Sequence, residues 1–493
     1  MRSISWNDDQ ILFLWRDEAG KETLAPFTLR DATEGVHIFG GKGSGKTSGS
    51  LATLAKAYLR AGMGGLVLTS KPEETALWQR YARETNRTAD LKILSARAEP
   101  FPYRFNFLDA EAKREASGAM VENVVQLLMT MIEFAGSGSG GASEPYWELA
   151  TRDLLRNAVT LNLHTSDQLH LSDLKEIVTA PPCPQGHSDD IEVQNWTASA
   201  AAQRLAALQQ KAENEESEGR RADLLDTIHY WRSQFPNLPE ETRRTIITYF
   251  TGLIAVFLRH PFRDLFCSET TLHPRQTWEE GAVIILDLPV LEYHESGKLA
   301  QAVFKYMFQR EAQGHDVKRW PRPVFLFEDE KQLFLTRHDF LFDSISRSFR
   351  VCSVAATQSL SQYHAVLSRH GGEAQAESFL GNYQTQIFHA NTNAKTNVWA
   401  AETIGRTRVF RGSATLDSKS RNPSLFGGST GSQTMSEQYD YFIQPSEFIG
   451  LGRGGVEYQY RVEAFVLKSG KPFKTNTKTK EQNHLKTVFL QNI

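Results

Sequence analysis

With 493 residues, 40% hydrophobic and 11% aromatic, the chain can bury the cores of roughly two to four domains, which excludes a disordered or fibrous protein. A formal net charge of −3 and a pI near 6.6 exclude a globally basic field, so any nucleic-acid binding has to be local. Three cysteines far apart in sequence (Cys183, Cys267, Cys352) exclude a disulfide framework or a zinc ribbon, and neither a signal segment nor an apolar run of about 18 residues is present. The expected location is the cytoplasm, with no membrane span in the chain itself.

Residues 1–30 place ILFLW and TLAPFTL on either side of a polar turn at Asp17–Lys21, which predicts a small hairpin without chemistry of its own. The stretch VHIFGGKGSGKTSGS follows at Val36–Ser50. Four strand-forming residues lead into Gly40, Gly41, Lys42, Gly43, Ser44, Gly45, Lys46 and Thr47, and a helical pattern begins near Gly45. The spacing G-x-x-x-x-G-K-[ST] is that of a phosphate-binding loop. Its glycines allow positive φ, so that backbone N–H groups turn inward around phosphates, and the helix N-terminus adds its dipole to the same anion. Lys46 is the expected partner of the β/γ-phosphates and Thr47 the expected Mg²⁺ ligand, which makes ATP and Mg²⁺ the expected cofactors.

A second buried strand is predicted at Gly64–Thr69, ending in the turn Ser70-Lys71-Pro72, and a third at Leu91–Leu94 after an intervening helix. Strand-helix-strand spacing of this kind predicts a parallel sheet. From about Glu111 to Phe266 the apolar residues recur at three- and four-residue spacing, which predicts an inserted helical domain. Two loops interrupt it, GSGSGG at Gly136–Gly141 and PPCPQGHSDD at Pro181–Asp190. Cys183 and His187 in the second loop are too few for a metal site.

Sheet character returns at Gly281–Leu288 and again at Arg322–Gln332, RPVFLFEDEKQ, an apolar strand that runs into acidic residues. A phosphate-binding loop needs such a partner, one carboxylate to hold Mg²⁺ and the next to orient the attacking water. Asp329 is assigned to the metal and Glu330 to the water; the register Glu328/Asp329 stays open at this point. Downstream, Gln358 falls at the C-terminal end of a strand (Val351–Ala355), where ligands of parallel sheets gather. Arg347, eleven residues before it, is a candidate for reaching a neighbouring subunit's γ-phosphate. Residues Arg411–Glu437 read as a polar mobile loop; Arg406, Arg408, Arg411, Lys419 and Arg421 make the region locally basic, for DNA contact or for solvation. A strand at Val456–Leu467 and a loose lysine-rich tail complete the chain.

Taken together these stretches resemble the TraG/TraD-like coupling ATPases of conjugation and type IV secretion, within the HerA/FtsK branch of P-loop motors. The resemblance rests on GGKGSGKT, TSKPEE, RFNFLD at Arg104–Asp109, EPYWELATRDLLRNA at Glu144–Ala158, VIILDLPV, VFLFEDEKQ, ISRSFR followed by ATQSLSQ, and FLGNYQTQIFHANTNAKT. It implies an α/β fold: a RecA-like nucleotide domain with a mostly parallel sheet, split by an inserted all-α domain. The corresponding boundaries are an N-terminal β segment (1–30), the nucleotide domain in two parts (31–110 and 276–470), the helical insertion (111–275) and a C-terminal tail (471–493). It also implies a ring, expected to be a hexamer, that translocates DNA, with Gln358 as the γ-phosphate sensor and Arg347 as a finger supplied in trans. Relatives that couple to a secretion channel usually carry N-terminal membrane helices, so the expectation here is an ATPase recruited to an inner-membrane partner or used in mobile-element transfer or defence. The rival expectation is a nucleotide-gated adaptor whose all-α domain recruits protein cargo.

Overall fold

The computed structural model describes residues 6–97, 99–114, 120–136, 145–180, 196–368, 372–415, 432–473 and 482–491. Its strands are, in chain order, β1 (Ile11–Arg16), β2 (Glu22–Thr28), β3 (Val36–Phe39), β4 (Gly64–Leu68) and β5 (Leu91–Ser95). They continue with β6 (Val283–Asp287), β7 (Val324–Glu328), β8 (Val351–Thr357) and β9 (Thr385–His389). The last four are β10 (Arg406–Thr415), β11 (Ser432–Tyr441), β12 (Arg461–Lys468) and β13 (His484–Leu490). The fold is α/β with mostly parallel strands, and it divides into two compact units, Met1–Asn7 with Ala55–Ala355 and Asp8–Leu54 with Ala356–Ile493.

In the first unit the strand order is β8-β7-β4-β6-β5, and every pairing is parallel. β4, β6 and β7 are buried along their whole length, as expected when crossover helices cover both faces of a sheet. Two glycines let neighbours approach β4: a Cβ on Gly64 would lie 2.0 Å from the Thr277 carbonyl oxygen, and one on Gly65 2.3 Å from the Phe325 ring. Between β5 and β6 the described residues contain helices and turns and no strand. Their apolar faces share one hydrophobic cluster with the sheet, in which Val124, Leu154, Leu174 and Phe250 join Leu286 and Leu326. The turn that carries Cys183 and His187 and most of the GSGSGG stretch lie outside the described residues.

In the second unit the order is β13-β12-β9-β3, with β3 parallel to β9 and β12 antiparallel to both β9 and β13. The β1–β2 hairpin lies beside it: the Thr487 hydroxyl donates to the Arg16 carbonyl at 2.7 Å, and Trp15 meets the rings of Phe27, Phe473 and Phe489 edge-on. Lys468 closes the base with an ion pair to buried Asp31 at 2.8 Å. Burial is the largest single influence on Asp31 and raises its pKa, but Lys468, the Thr28 N–H and Lys471 together outweigh it and hold the carboxyl below the usual range.

Two sequence expectations are corrected here. Residues 406–415 and 432–441 form an antiparallel hairpin where a loop was expected over Arg411–Glu437. Serine, glycine and threonine suggested a loop, but Arg406 stacks on its cross-strand partner Tyr441 and Arg408 on Tyr439, pairs that favour strand register. Lys419 and Arg421 lie outside the described residues. The expected loose tail contains β13, whose Thr487, Val488 and Phe489 are buried.

Candidate functional site

The phosphate loop belongs to the second unit. β3 ends at Phe39, after which the Gly40 N–H donates to the Thr357 carbonyl at 3.2 Å and the Gly41 N–H to the Ala390 carbonyl at 2.9 Å, so the loop springs from the ends of neighbouring strands. Gly40 has no room for a side chain: a Cβ would sit 2.4 Å from the Ser44 hydroxyl. Gly45 takes φ +83°, and a Cβ there would fall 2.7 Å from the Val462 methyls and 2.8 Å from the Arg453 carbonyl oxygen. Gly43, at φ +70°, faces open space. Lys42 is exposed, Thr47 half-buried and Lys46 buried. Among the described residues the buried Ser44 hydroxyl has no hydrogen-bond partner. A glycine cradle, a buried lysine and an orphaned hydroxyl are a donor set that fits an anionic phosphate group.

The helix after the loop opens with a π-turn, Thr47–Leu51, in which the Leu51 N–H reaches the Lys46 carbonyl at 3.1 Å, before the regular helix Ala52–Ala61. Ser50 in this turn contacts His389 Nε2 at 2.7 Å, and His389 Nδ1 contacts the Glu463 carbonyl at 3.1 Å. A carbonyl only accepts, so Nδ1 carries the proton and Nε2 accepts from Ser50. Burial first, and the charge of Lys46 further, push His389 down to about 4, although its bond to Glu463 works in the opposite sense. The imidazole is therefore neutral at ordinary pH. Sequence reading missed this contact, because the two residues lie in stretches more than three hundred residues apart.

Gln358 lies in the same unit, one residue beyond the carbonyl that receives the Gly40 N–H. Its N–H donates to Gln362 Oε1 at 3.2 Å and its carbonyl accepts from Asn391 Nδ2 at 2.8 Å, so its backbone is fixed beside the loop.

The acidic residues and Arg347 belong to the first unit. Strand alternation sorts the acids by face. Phe325 and Phe327 point to Trp78 of the helix Glu73–Glu84, at ring distances of 5.6 and 5.0 Å. Glu328 points to the opposite face, where both its carboxylate oxygens are engaged, by Lys305 at 3.2 Å and Lys331 at 2.6 Å. Asp329 acts electrostatically on Glu74 and Tyr81 of the Glu73–Glu84 helix, which sets it on the face of Phe325 and Phe327. Glu330 is buried in the left-handed conformation (φ 62°, ψ 50°), and its Oε2 accepts from Gln332 Nε2 at 2.8 Å.

Glu74 adds a carboxylate that motif reading passed over. Ser70 binds it twice, N–H to Oε2 at 2.7 Å and hydroxyl to Oε1 at 2.9 Å, while burial, followed by the Asp329 charge, pushes its carboxyl up to about 7. Lys71 beside it is exposed. Arg347 is exposed on the short 3₁₀ segment Ser346–Phe349 that follows the helix Arg337–Ile345. The structure thus groups the phosphate loop with Gln358, and Asp329 with Glu330 and Glu74, while Arg347 stands on a surface turn.

Residues 323–452 match the family model described as the TraM recognition site of TraD and TraG. No curated protein matches the chain at a significant level. Among solved structures, the bacterial conjugative coupling protein TrwBdeltaN70 in its unbound monoclinic form aligns over 100% of this chain and 91% of its own, at 14% identity and a TM-score of 0.58. The plasmid coupling protein TrwB in complex with ADP and Mg²⁺ aligns with the same figures. TrwB with the non-hydrolysable ATP analogue ADPNP aligns over 98% of this chain and 92% of its own, at 14% identity and a TM-score of 0.56. At these identities the likeness establishes the fold.

Proposed function

We propose that this chain, a TraG/TraD-like coupling ATPase by its family match and its fold, binds Mg²⁺-ATP and hydrolyses it to move DNA through a ring of identical subunits. The observation that carries the reading is the phosphate loop itself, with two positive-φ glycines, a buried Lys46 and a Ser44 hydroxyl without a partner among the described residues. Lys46 and the N–H groups of Gly40–Thr47 hold the phosphates, and Thr47 with Asp329 holds the metal, which supplies charge neutralisation at the γ-phosphate. That TrwB is described in complex with ADP and Mg²⁺ and with an ATP analogue supports the cofactor assignment.

Glu328 is engaged by two lysines on the far face of β7, which supports Asp329 and Glu330 as the acidic pair. Glu330 orients the attacking water and receives its proton. Gln358, its backbone tied to Asn391 and Gln362, senses the γ-phosphate beside the loop. Arg347 stabilises transition-state charge in a neighbouring subunit, a role that its exposed position suits. Among the described residues no helix is long and apolar enough to cross a membrane.

The second reading is the adaptor; the matched family's description as a recognition site concerns residues 323–452, outside the helical segment. In that reading ATP sets assembly and the helical segment 111–275 recruits protein cargo. Steady-state ATP hydrolysis with no DNA, single-stranded DNA and double-stranded DNA separates the two. A motor shows DNA-stimulated turnover that Lys46→Ala abolishes and Glu330→Gln blocks while ATP binding persists. Turnover indifferent to DNA in the parent protein, with no salt-dependent DNA affinity, selects the adaptor.

A further inference from the structure

Asp329 and Glu330 sit between two residues held from beneath by buried charge. Glu328 before them and Lys331 after them are joined at 2.6 Å, and both belong to a cluster with Lys305, Asp339 and Asp343. Lys305, on the helix Val290–Gln313, donates to Glu328 at 3.2 Å, to Asp339 at 2.7 Å and to the Phe334 carbonyl at 2.6 Å. Asp339 also receives the Thr336 N–H and hydroxyl at 2.6 and 3.0 Å and the Gln309 amide at 2.7 Å. Lys331 pairs with Asp343 at 3.3 Å, and the other oxygen of Asp343 accepts from Ser353 on β8 at 3.2 Å.

Every member is at most 8% exposed. Apolar side chains of equal volume would fill this space at no loss of stability, since burying five charges costs desolvation that their attraction only partly offsets. What apolar packing lacks is fixed direction. The cluster ties down the residues on both sides of the acidic pair, and Glu330 holds a left-handed backbone that a non-glycine residue keeps only when its surroundings over-determine it. The same cluster reaches Asp343, one helical turn ahead of Arg347.

We propose that Lys331 is a positioning residue for ATP hydrolysis: its ion pairs with Glu328 and Asp343 hold the exit of β7 so that Asp329 and Glu330 present their carboxylates to the metal and the water, and they set the origin of the Arg347 segment. This rests on the ATPase reading given above. It touches no reacting atom, so its loss leaves the phosphate loop intact and misplaces the metal and the base.

Lys331→Met, Lys331→Arg and Asp343→Asn test it by calorimetry of ADP binding with Mg²⁺ and with EDTA, and by steady-state ATP hydrolysis. For Lys331→Met, ADP affinity in EDTA stays within about twofold of the parent, while the gain in affinity from Mg²⁺ shrinks about fivefold or more. Its kcat drops about tenfold or more, with KM for ATP within about threefold. Lys331→Arg recovers part of both losses, because a cation remains. A folded Lys331→Met with the parental Mg²⁺ gain and kcat overturns the proposal, as does a loss that is equally large in EDTA, since that marks a general structural defect. Should Lys331→Met fail to fold, Asp343→Asn, which keeps the volume and one acceptor, decides by the same criteria. A parent protein that binds Mg²⁺-ADP without hydrolysing ATP defeats the ATPase reading instead, and the calorimetric comparison then decides the positioning role alone.

Discussion

The Ser50 hydroxyl donates a hydrogen bond to His389 Nε2 across 2.7 Å, which joins the first turn after the phosphate loop to the end of β9. The imidazole in turn donates to the Glu463 carbonyl, so one buried ring fastens the loop to two strands. Ser50→Ala leaves Nε2 buried without a donor. An unsatisfied buried group of this kind costs about 1–3 kcal/mol, and urea denaturation of Ser50→Ala at pH 7.5 is expected to show a loss in that range. A variant as stable as the parent would mean that water replaces the hydroxyl.

The same ring predicts acid sensitivity. His389 titrates near 4 when folded and near 6.5 when unfolded, so between these values the unfolded chain binds a proton that the folded chain refuses. Stability contributed by the neutral ring is complete above about 6.5 and is lost as pH falls towards 4, for a total on the order of 2–3 kcal/mol. His338, pushed down to about 4 chiefly by burial, acts in the same direction. Unfolding free energies measured at pH 7.5 and pH 5 are therefore expected to differ less for His389→Gln than for the parent protein. An equal pH dependence in both would assign the acid lability elsewhere.

Gly45→Ala meets two obstacles at once, a left-handed backbone and a collision with Val462 and the Arg453 carbonyl. The expected result is a loss of about 1–3 kcal/mol in stability together with ADP binding too weak to saturate, because relief of the collision moves the N–H groups of the loop. Gly43→Ala, at a position with the same sign of φ but open space around it, is expected to cost less stability. Thermal melting and calorimetry of the two variants side by side check the order.

Arg347→Ala removes an exposed side chain and is expected to leave the melting temperature within about two degrees of the parent. Turnover is expected to fall by about 10³-fold if the guanidinium acts on the transition state. Mixing Arg347→Ala with Lys46→Ala reassembles intact sites between unlike subunits, so partial recovery of activity in the mixture supports action in trans. Two inactive proteins that stay inactive when mixed would exclude it.

Local chemistry made part of this molecule readable in advance. The glycine spacing of Gly40–Thr47 and the apolar run before Asp329 follow from steric and alternation rules that act within a few residues. Which acid is engaged by buried lysines was not decidable in this way, because it depends on Lys305, more than twenty residues earlier in sequence, occupying the far face of β7. A signal existed in the lone lysine of the apolar helix run VFKYMF, a charge that has to find partners when buried. Glu74 and His389 left weaker traces, since burial is the main cause of their altered protonation. The β10–β11 hairpin was misread because its cross-strand Arg–Tyr pairs join residues about thirty apart, a distance that composition does not register.

The phosphate loop is completed by strands that lie far downstream of it in sequence, β12 and β13. Gly45 packs against Val462, Gly49 lies against Val462 and Phe489, and Gln491 donates to the Ser48 hydroxyl at 2.6 Å. β3 itself pairs in parallel with β9, some 350 residues later. A nascent chain therefore carries the loop unsupported until those strands emerge, and contacts this distant in sequence make for slow closure. Competence to bind nucleotide is expected to arise only once β12 and β13 have been made, so that a ribosome-stalled fragment ending before β12 would hold the whole motif and still bind nothing.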